Sequence, residues 1–287
     1  MDSIRGTVVE SAKSVWSFLN GDGLIPQLLL TILIILVFHT IILSIETVVD
    51  AFKQYDRLQV PIFEDTHTST TTYDQDADTD NKLIYPSSNE LNGMEFSYSF
   101  HMFIERQTFD RTVSTCTTSG ESNAQELRHI FHKGGELCWP LLAPGVFVHG
   151  DKNTLRVYMN ATDEWNQFVD IPNIPVGKWV HCVILMKGKF MDVYINGNVT
   201  IRHEFATVPR LNYGPVTIFA QKGLVRDDFN CTGAASGMIS RLTYYAYALS
   251  YSQIDTLYRQ GPSKVITTPE RSDKPPYLHD SWWVTKY

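Results

Sequence analysis

The sequence predicts an all-β, antiparallel body preceded by an N-terminal transmembrane helix. Three observations predict it. Residues 23–45 contain no Asp, Glu, Lys or Arg. From Met94 onward apolar residues recur with a period of two, the repeat of a strand with one face in a core. Asn196-Gly197 separates two such runs, and a type I′ hairpin turn needs the positive φ that this dipeptide tolerates. With 43% apolar and 19% charged residues in 287, the chain can fill a core, and global disorder is excluded. A formal charge of −7, from 24 basic and 31 acidic side chains, argues against nucleic acid as a partner. Four cysteines without a C-x-x-C pair exclude a disulfide scaffold, a zinc ribbon and a thioredoxin-type motif.

In residues 1–22, Ile4, Val8, Ala12, Val15, Trp16 and Leu19 form the single apolar stripe of an amphipathic helix. Trp16 suits a membrane interface or a partner helix. Residues 23–45 follow as the membrane span, since about 22 helical residues cover roughly 33 Å against a hydrocarbon core of about 30 Å. The apolar run is longer than that of a secretory signal and no small-x-small cleavage site follows it, so the anchor is expected to stay. His39 has no second titratable residue in the span with which to build a proton relay. Arg5 and Lys13 before the span balance Lys53 and Arg57 after it, so charge does not set the orientation. Val48, Val49, Phe52 and Tyr55 extend the helix through residues 46–58, and Pro61 opposes further extension.

Residues 59–82 hold six acidic side chains, six threonines and Lys82, a composition expected of an extended, solvated linker. Within it Asp74, Asp76, Asp78 and Asp80 alternate like calcium-loop ligands, without the glycine and glutamate an EF-hand requires. The body is expected over residues 83–261. Met94, Phe96, Tyr98, Phe100, Met102 and Ile104 share one strand face, and the alternation recurs in Leu155–Met159, Met191–Ile195, Val199–Phe205 and Val216–Ala220. Lys187-Gly188-Lys189 marks a second tight connection. Ser250 and Gln253 have capping-box spacing, which predicts a short helix ending near Gly261, with Ile254, Leu257 and Tyr258 covering a sandwich edge. Residues 262–287 carry four prolines and then Trp282, Trp283 and Tyr287. They are read as an extended arm whose aromatics dock on the body or on a partner.

The stretches Gly177-Lys-Trp-Val-His-Cys-Val, Met191-Asp-Val-Tyr-Ile-Asn-Gly-Asn, Gly237-Met-Ile-Ser-Arg-Leu and Tyr247-Ala-Leu-Ser-Tyr-Ser-Gln-Ile-Asp-Thr-Leu-Tyr, in that order, resemble the concanavalin A-like lectin/glucanase superfamily, in particular its laminin-G-like and pentraxin-like modules. The resemblance covers about residues 83–260 and implies a two-sheet jelly-roll sandwich. Hydrolases of that superfamily place two carboxylates on one strand face. Here Asp163 and Glu164 adjoin, so they would point to opposite faces, and Asp192 stands alone on its strand. His129 and His132 lack the zincin glutamate and read as a polar pair on a short helix. No nucleophile elbow, Walker loop or dinucleotide fingerprint occurs. The chain is therefore read as non-catalytic and without a cofactor.

By the same resemblance, calcium-dependent members use rim-loop oxygens, for which Asp151, Asn153, Asp227 and Asp228 are the residues of suitable type. A sugar platform would draw on Trp139, Trp165 or Tyr213. Asn160, Asn198 and Asn230 head glycosylation sequons. If the body faces the lumen or the exterior, Cys116, Cys138, Cys182 and Cys231 have three ways to pair; in the cytosol they stay reduced. Sandwich modules with an N-terminal anchor look like open reading frames of large DNA viruses that infect algae. That resemblance implies a single-pass membrane protein linking membrane to shell as a minor capsid protein of a virion, with neighbouring structural proteins as partners. The alternative is a surface lectin or adhesion receptor that binds glycans.

Overall fold

The computed structural model describes residues 23–75, 81–87, 94–109, 125–163, 165, 167–226 and 229–267. The amphipathic segment with Trp16, the distal arm with Trp282, Trp283 and Tyr287, and Cys116, Glu164, Asp227 and Asp228 lie outside the described residues. The chain divides into two units, residues 1–56 and 57–287.

The first unit consists of helix α1 (Leu24–Leu58) up to its last turn. Its apolar stretch, Leu24–Phe52, is long and apolar enough to cross a membrane, and none of it is buried in the protein. At 1.5 Å per residue, 29 residues reach about 43 Å, more than a hydrocarbon core of about 30 Å. The span's hydroxyls are satisfied internally: Thr31 donates to the Gln27 carbonyl and Ser44 to that of Thr40, each at 2.8 Å. Inside lipid such groups have no water to turn to.

The second unit is a sandwich of two sheets. One has seven strands in the order β10 (Asn198–Glu204), β9 (Phe190–Ile195), β8 (Trp179–Lys187), β3 (Glu95–Ile104), β14 (Gly237–Tyr245), β1 (Gln59–His67), β15 (Ile266–Thr267). The other has eight. It runs β12 (Leu224–Val225), β13 (Asn230–Ala234), β4 (Glu126–Lys133), β5 (Gly145–His149), β6 (Leu155–Met159), β7 (Gln167–Ile171), while β11 (Val216–Ile218) pairs with both β4 and β2 (Thr71–Tyr73). Among the described residues, only β1–β15 and β4–β13 run parallel.

The core lies between the sheets and follows the period of two. Phe96, Tyr98, Phe100, Met102 and Ile104 of β3 meet Val146, Val148, Val157 and Met159 of the facing sheet. Burial of each such side chain stabilises the fold by about 2 kcal/mol. Phe100 and Phe131 pack edge to face at 4.9 Å. Two smaller clusters cover the outer faces. Leu127, Cys138, Leu142, Phe147, Tyr158, Phe229 and Cys231 form one. Val183, Leu185, Tyr245, Leu249 and Ile254 form the other, beneath helix α2 (Tyr251–Gln260).

Local signals resolve as their chemistry requires. Asn196 and Gly197 take φ of 50° and 80° in the β9–β10 turn. Ser250 caps α2, accepting from the Gln253 amide while Gln253 Oε1 accepts from the Ser250 amide.

Three expectations are corrected. Residues 59–75 are not a solvated linker: they form β1 and β2, with Val60, Ile62, Phe63 and Tyr73 buried, and Glu64 exposed. The sandwich thus begins at β1 and not at Leu83. The acidic composition masked a strand whose partner, β14, is distant in sequence. The segment after Gly261 is not wholly irregular, because Ile266 and Thr267 pair with Thr66 and His67. His129 and His132 sit on a strand, β4, not a helix. A register shift between His129 and Phe131 turns the two rings onto one face, which plain alternation would forbid.

Candidate functional site

The polar face of β3 is not open to water. Glu95, Ser97, Ser99 and His101 are all buried, because the segment after β14 folds back over them. Ser97 Oγ donates to the Tyr247 carbonyl at 3.0 Å and accepts from the Leu249 amide at 3.1 Å. Where α2 leaves the sheet uncovered, a cavity of about 330 Å³ opens between β1, β3, β14 and α2, lined by residues that include Glu64, Ser99, His101, Arg241, Thr243 and Leu257.

Arg241 lines this cavity from a distorted backbone. β14 gains a residue relative to β3 between Ser240 and Thr243, and Arg241 at that bulge has φ of 51°. A non-glycine residue there carries about 1–2 kcal/mol of strain. Its Nε is buried without a hydrogen-bond partner. No carboxylate among the described residues pairs with it, although four other strand carboxylates each have a cation: Glu95–Lys187 at 3.8 Å, Glu126–Arg128 at 2.9 Å, Asp170–Arg156 at 2.7 Å and Asp192–Arg202 at 2.6 Å.

One histidine lines the cavity and a second packs against it. His101 and His181 are directly paired across β3 and β8, with ring centroids 4.6 Å apart. Ser99 Oγ lies 2.9 Å from His181 Nε2. His101 is 4% exposed, and neither ring nitrogen makes a hydrogen bond of good geometry, although the Tyr258 backbone lies close enough to favour its protonated form. Burial, and then the Arg241 guanidinium, push the His101 pKa down to about 4. Burial, and then His101, push that of His181 to about 3. Both rings are neutral at pH 7, so the fixed charges lining the cavity are Arg241 and Glu64.

Residues of the sequence-predicted sites are dispersed. Trp139 stacks on Phe229 at 4.4 Å and 19° and belongs to the outer cluster of the eight-stranded sheet. Trp165 sits under the Arg210 guanidinium at 5.4 Å and donates from Nε1 to the Pro140 carbonyl. Tyr213 is 81% exposed. The three do not form one platform. Asp151 is exposed and Asn153 donates to the Ile174 carbonyl at 3.3 Å. No group of three or more His, Cys, Asp or Glu among the described residues has metal-binding geometry. Asn160 is corrected as a glycosylation candidate: it is 2% exposed, and its amide donates to the Pro140 and Trp165 carbonyls while its oxygen accepts from Leu142. Asn198 is exposed at the start of β10. Cys138, Cys182 and Cys231 are buried free thiols.

His129 and His132 form a closed chain. The Ala220 amide donates to His129 Nδ1 at 2.9 Å, His129 Nε2 lies 2.7 Å from His132 Nδ1, and His132 Nε2 lies 2.9 Å from the Gly135 carbonyl. Neutral rings with the proton on Nε2 satisfy every link, which leaves no lone pair for a metal. Sequence reasoning missed Arg241, His101 and His181. Arg241 and His181 both lie in the stretches that carry the family resemblance, yet nothing local marks the bulge or the pairing.

Residues 106–255 match the model of the Laminin_G_3 family, described as Concanavalin A-like lectin/glucanases superfamily. A comparison with curated protein sequences found no match. Among solved structures, the chain is similar to the ligand-binding domain of botulinum neurotoxin serotype D in complex with N-acetylneuraminic acid (12% identity, TM-score 0.45, 68% of this chain and 41% of that one). It is also similar to the serotype G binding domain (14%, 0.46, 68% and 42%) and to the serotype DC binding domain in complex with rat synaptotagmin II (15%, 0.37, 58% and 35%). The match thus takes in less than half the length of each of those chains.

Proposed function

The chain belongs to the concanavalin A-like lectin/glucanase superfamily, and from that premise we propose that it is a non-catalytic, membrane-anchored binding protein whose ligand site is the cavity beneath α2. One observation carries this reading: a cavity of ligand size is lined by an arginine that sits on a strained bulge and pairs with no carboxylate among the described residues, and strain of this kind collects at functional sites. The non-catalytic part is supported by Asp170 and Asp192, both engaged by arginines and so occupied as ion-pair partners. The anchor is α1, through its apolar stretch. The test has two arms. Alkaline carbonate should leave the chain in the membrane pellet; release into the supernatant overturns the anchor. A glycan array probed with the full-length protein in lipid nanodiscs should show binding that is lost when Leu257→Trp fills the cavity; hydrolysis of the array sugars overturns the non-catalytic reading.

A second reading, a structural component of an assembly such as a virion minor capsid protein between membrane and shell, is favoured by β10. It is the outer strand of the seven-stranded sheet, with Val199 57% exposed, and an unpaired edge accepts a strand from a neighbour. Proline at Thr200 should block such pairing. Unchanged co-purification of neighbouring proteins would count against this reading.

A further inference from the structure

Two of the buried thiols meet. Segment 134–144, which joins β4 to β5, lies on the outer face of the eight-stranded sheet, where Trp139 stacks on Phe229 and Cys138 shares an apolar cluster with Cys231 of β13. The Cys138 and Cys231 side chains are hydrogen-bonded to each other. Cys182 lies elsewhere, in the core between the sheets. Cys231 Sγ also lies 3.7 Å from the Gly233 carbonyl, a weak contact for a weak donor, so little is lost when the thiol gives up its proton.

We propose that Cys138 and Cys231 are a disulfide site, closed by exchange with a small disulfide of an oxidising compartment, of the class of oxidised glutathione. The Cys138 thiolate attacks one sulfur of that disulfide and expels a glutathione thiolate. Cys231 then attacks the Cys138 sulfur and expels the second. The two protein thiols give up two electrons and two protons, and one glutathione disulfide becomes two glutathione thiols. The order follows from place. Cys138 is 2% exposed, but Leu137 beside it is 43% exposed and Leu141 38%, so the thiol lies one layer beneath water. Among the described residues, no amide of 135–141 donates to a backbone carbonyl, which makes this a segment that opens locally while the sheet stays intact. Cys231 needs no access to solvent, because its step is intramolecular. The hydrogen bond with Cys231 also holds the Cys138 pKa below the usual thiol value, while that bond and then burial push Cys231 well above it. That favours Cys138 as the first nucleophile. The bond ties the 134–144 segment, and with it Trp139, onto β13.

The test holds the full-length protein in lipid nanodiscs to equilibrium in a buffer of reduced and oxidised glutathione at the poise of a secretory lumen, then unfolds, alkylates and peptide-maps it. A linked Cys138–Cys231 peptide, two hydrogens lighter than its reduced halves, is expected, with Cys182 alkylated. The oxidised protein should melt about 8 °C or more above the reduced one, as a bond closing a loop of this length implies. Cys231→Ala removes the resolving thiol, so a glutathione adduct should accumulate on Cys138. The map of the unsubstituted chain decides the matter even where that variant fails to fold. Cys138 and Cys231 both alkylated at equilibrium overturn the proposal, as does a bond from either to Cys116 or Cys182. A glutathione adduct that persists on Cys138 of the unsubstituted chain overturns it too, because the second thiol is then out of reach.

Discussion

Each sheet of this sandwich carries one buried histidine pair, and the two pairs are built on opposite terms. On the eight-stranded sheet, His129 and His132 are locked between the Ala220 amide and the Gly135 carbonyl. On the seven-stranded sheet, His101 lacks a well-formed bond at either nitrogen and lies beside an arginine that has no carboxylate partner among the described residues. Both pairs are neutral and both are buried. The difference is hydrogen-bond closure: the first pair is satisfied at every link, the second only where His181 meets Ser99.

Removing a closed link should have the largest effect. His129→Leu strands the Ala220 amide and His132 Nδ1 in the interior and should lower unfolding stability by about 3 kcal/mol, read from urea unfolding. Asp170→Asn should follow, at about 2 kcal/mol after allowing for its partial exposure. Burial raises the Asp170 pKa, but Arg156 and His149 together hold it well below the usual carboxylate range, and without the carboxylate the Arg156 guanidinium loses its counter-charge.

Acid tests both pairs together. All four rings hold a proton less readily when folded than the free value of 6.5. Below that pH the unfolded chain binds more protons, so stability is complete above 6.5 and declines as pH falls, through about 4 for His101 and about 3 for His181. Each ring should contribute up to about 1.4 kcal/mol per pH unit in that window, and His101→Leu should reduce the slope. The smallest effect should be that of His101→Leu at pH 7. It removes nitrogens that have no good partner, so stability should change by less than about 1 kcal/mol. A loss equal to that of His129→Leu would erase the contrast between the pairs.

What could be read in advance was what neighbours in sequence decide. Asn196-Gly197 needs only its own backbone, and the Ser250–Gln253 cap closes within four residues. The core face of β3 was legible because alternation follows from the pleat. β1 was not: Pro61, two register shifts and Glu64 and Asp65 break its pattern, and its burial comes from strands far along the chain. The cavity was illegible for the same reason. Arg241 matters through a bulge against β3 and through α2 folding back, neither of which leaves a mark on residues 237–245 themselves. The environments of the aromatic candidates were illegible because residue type says nothing of where a ring lies: Trp139 packs on Phe229, while Tyr213 is exposed.

The position of β1 constrains how the molecule comes into being. Gln59 pairs with Tyr245 and Thr66 with Ile266, so the first strand of the sandwich sits between two strands about 180 to 200 residues later in the chain. Until those emerge, the nascent chain holds an apolar ribbon with nothing to zip against, and such long-range closure is slow and vulnerable to aggregation. Folding of this protein is therefore expected to lean on chaperones until β14 and β15 are free to pair with β1.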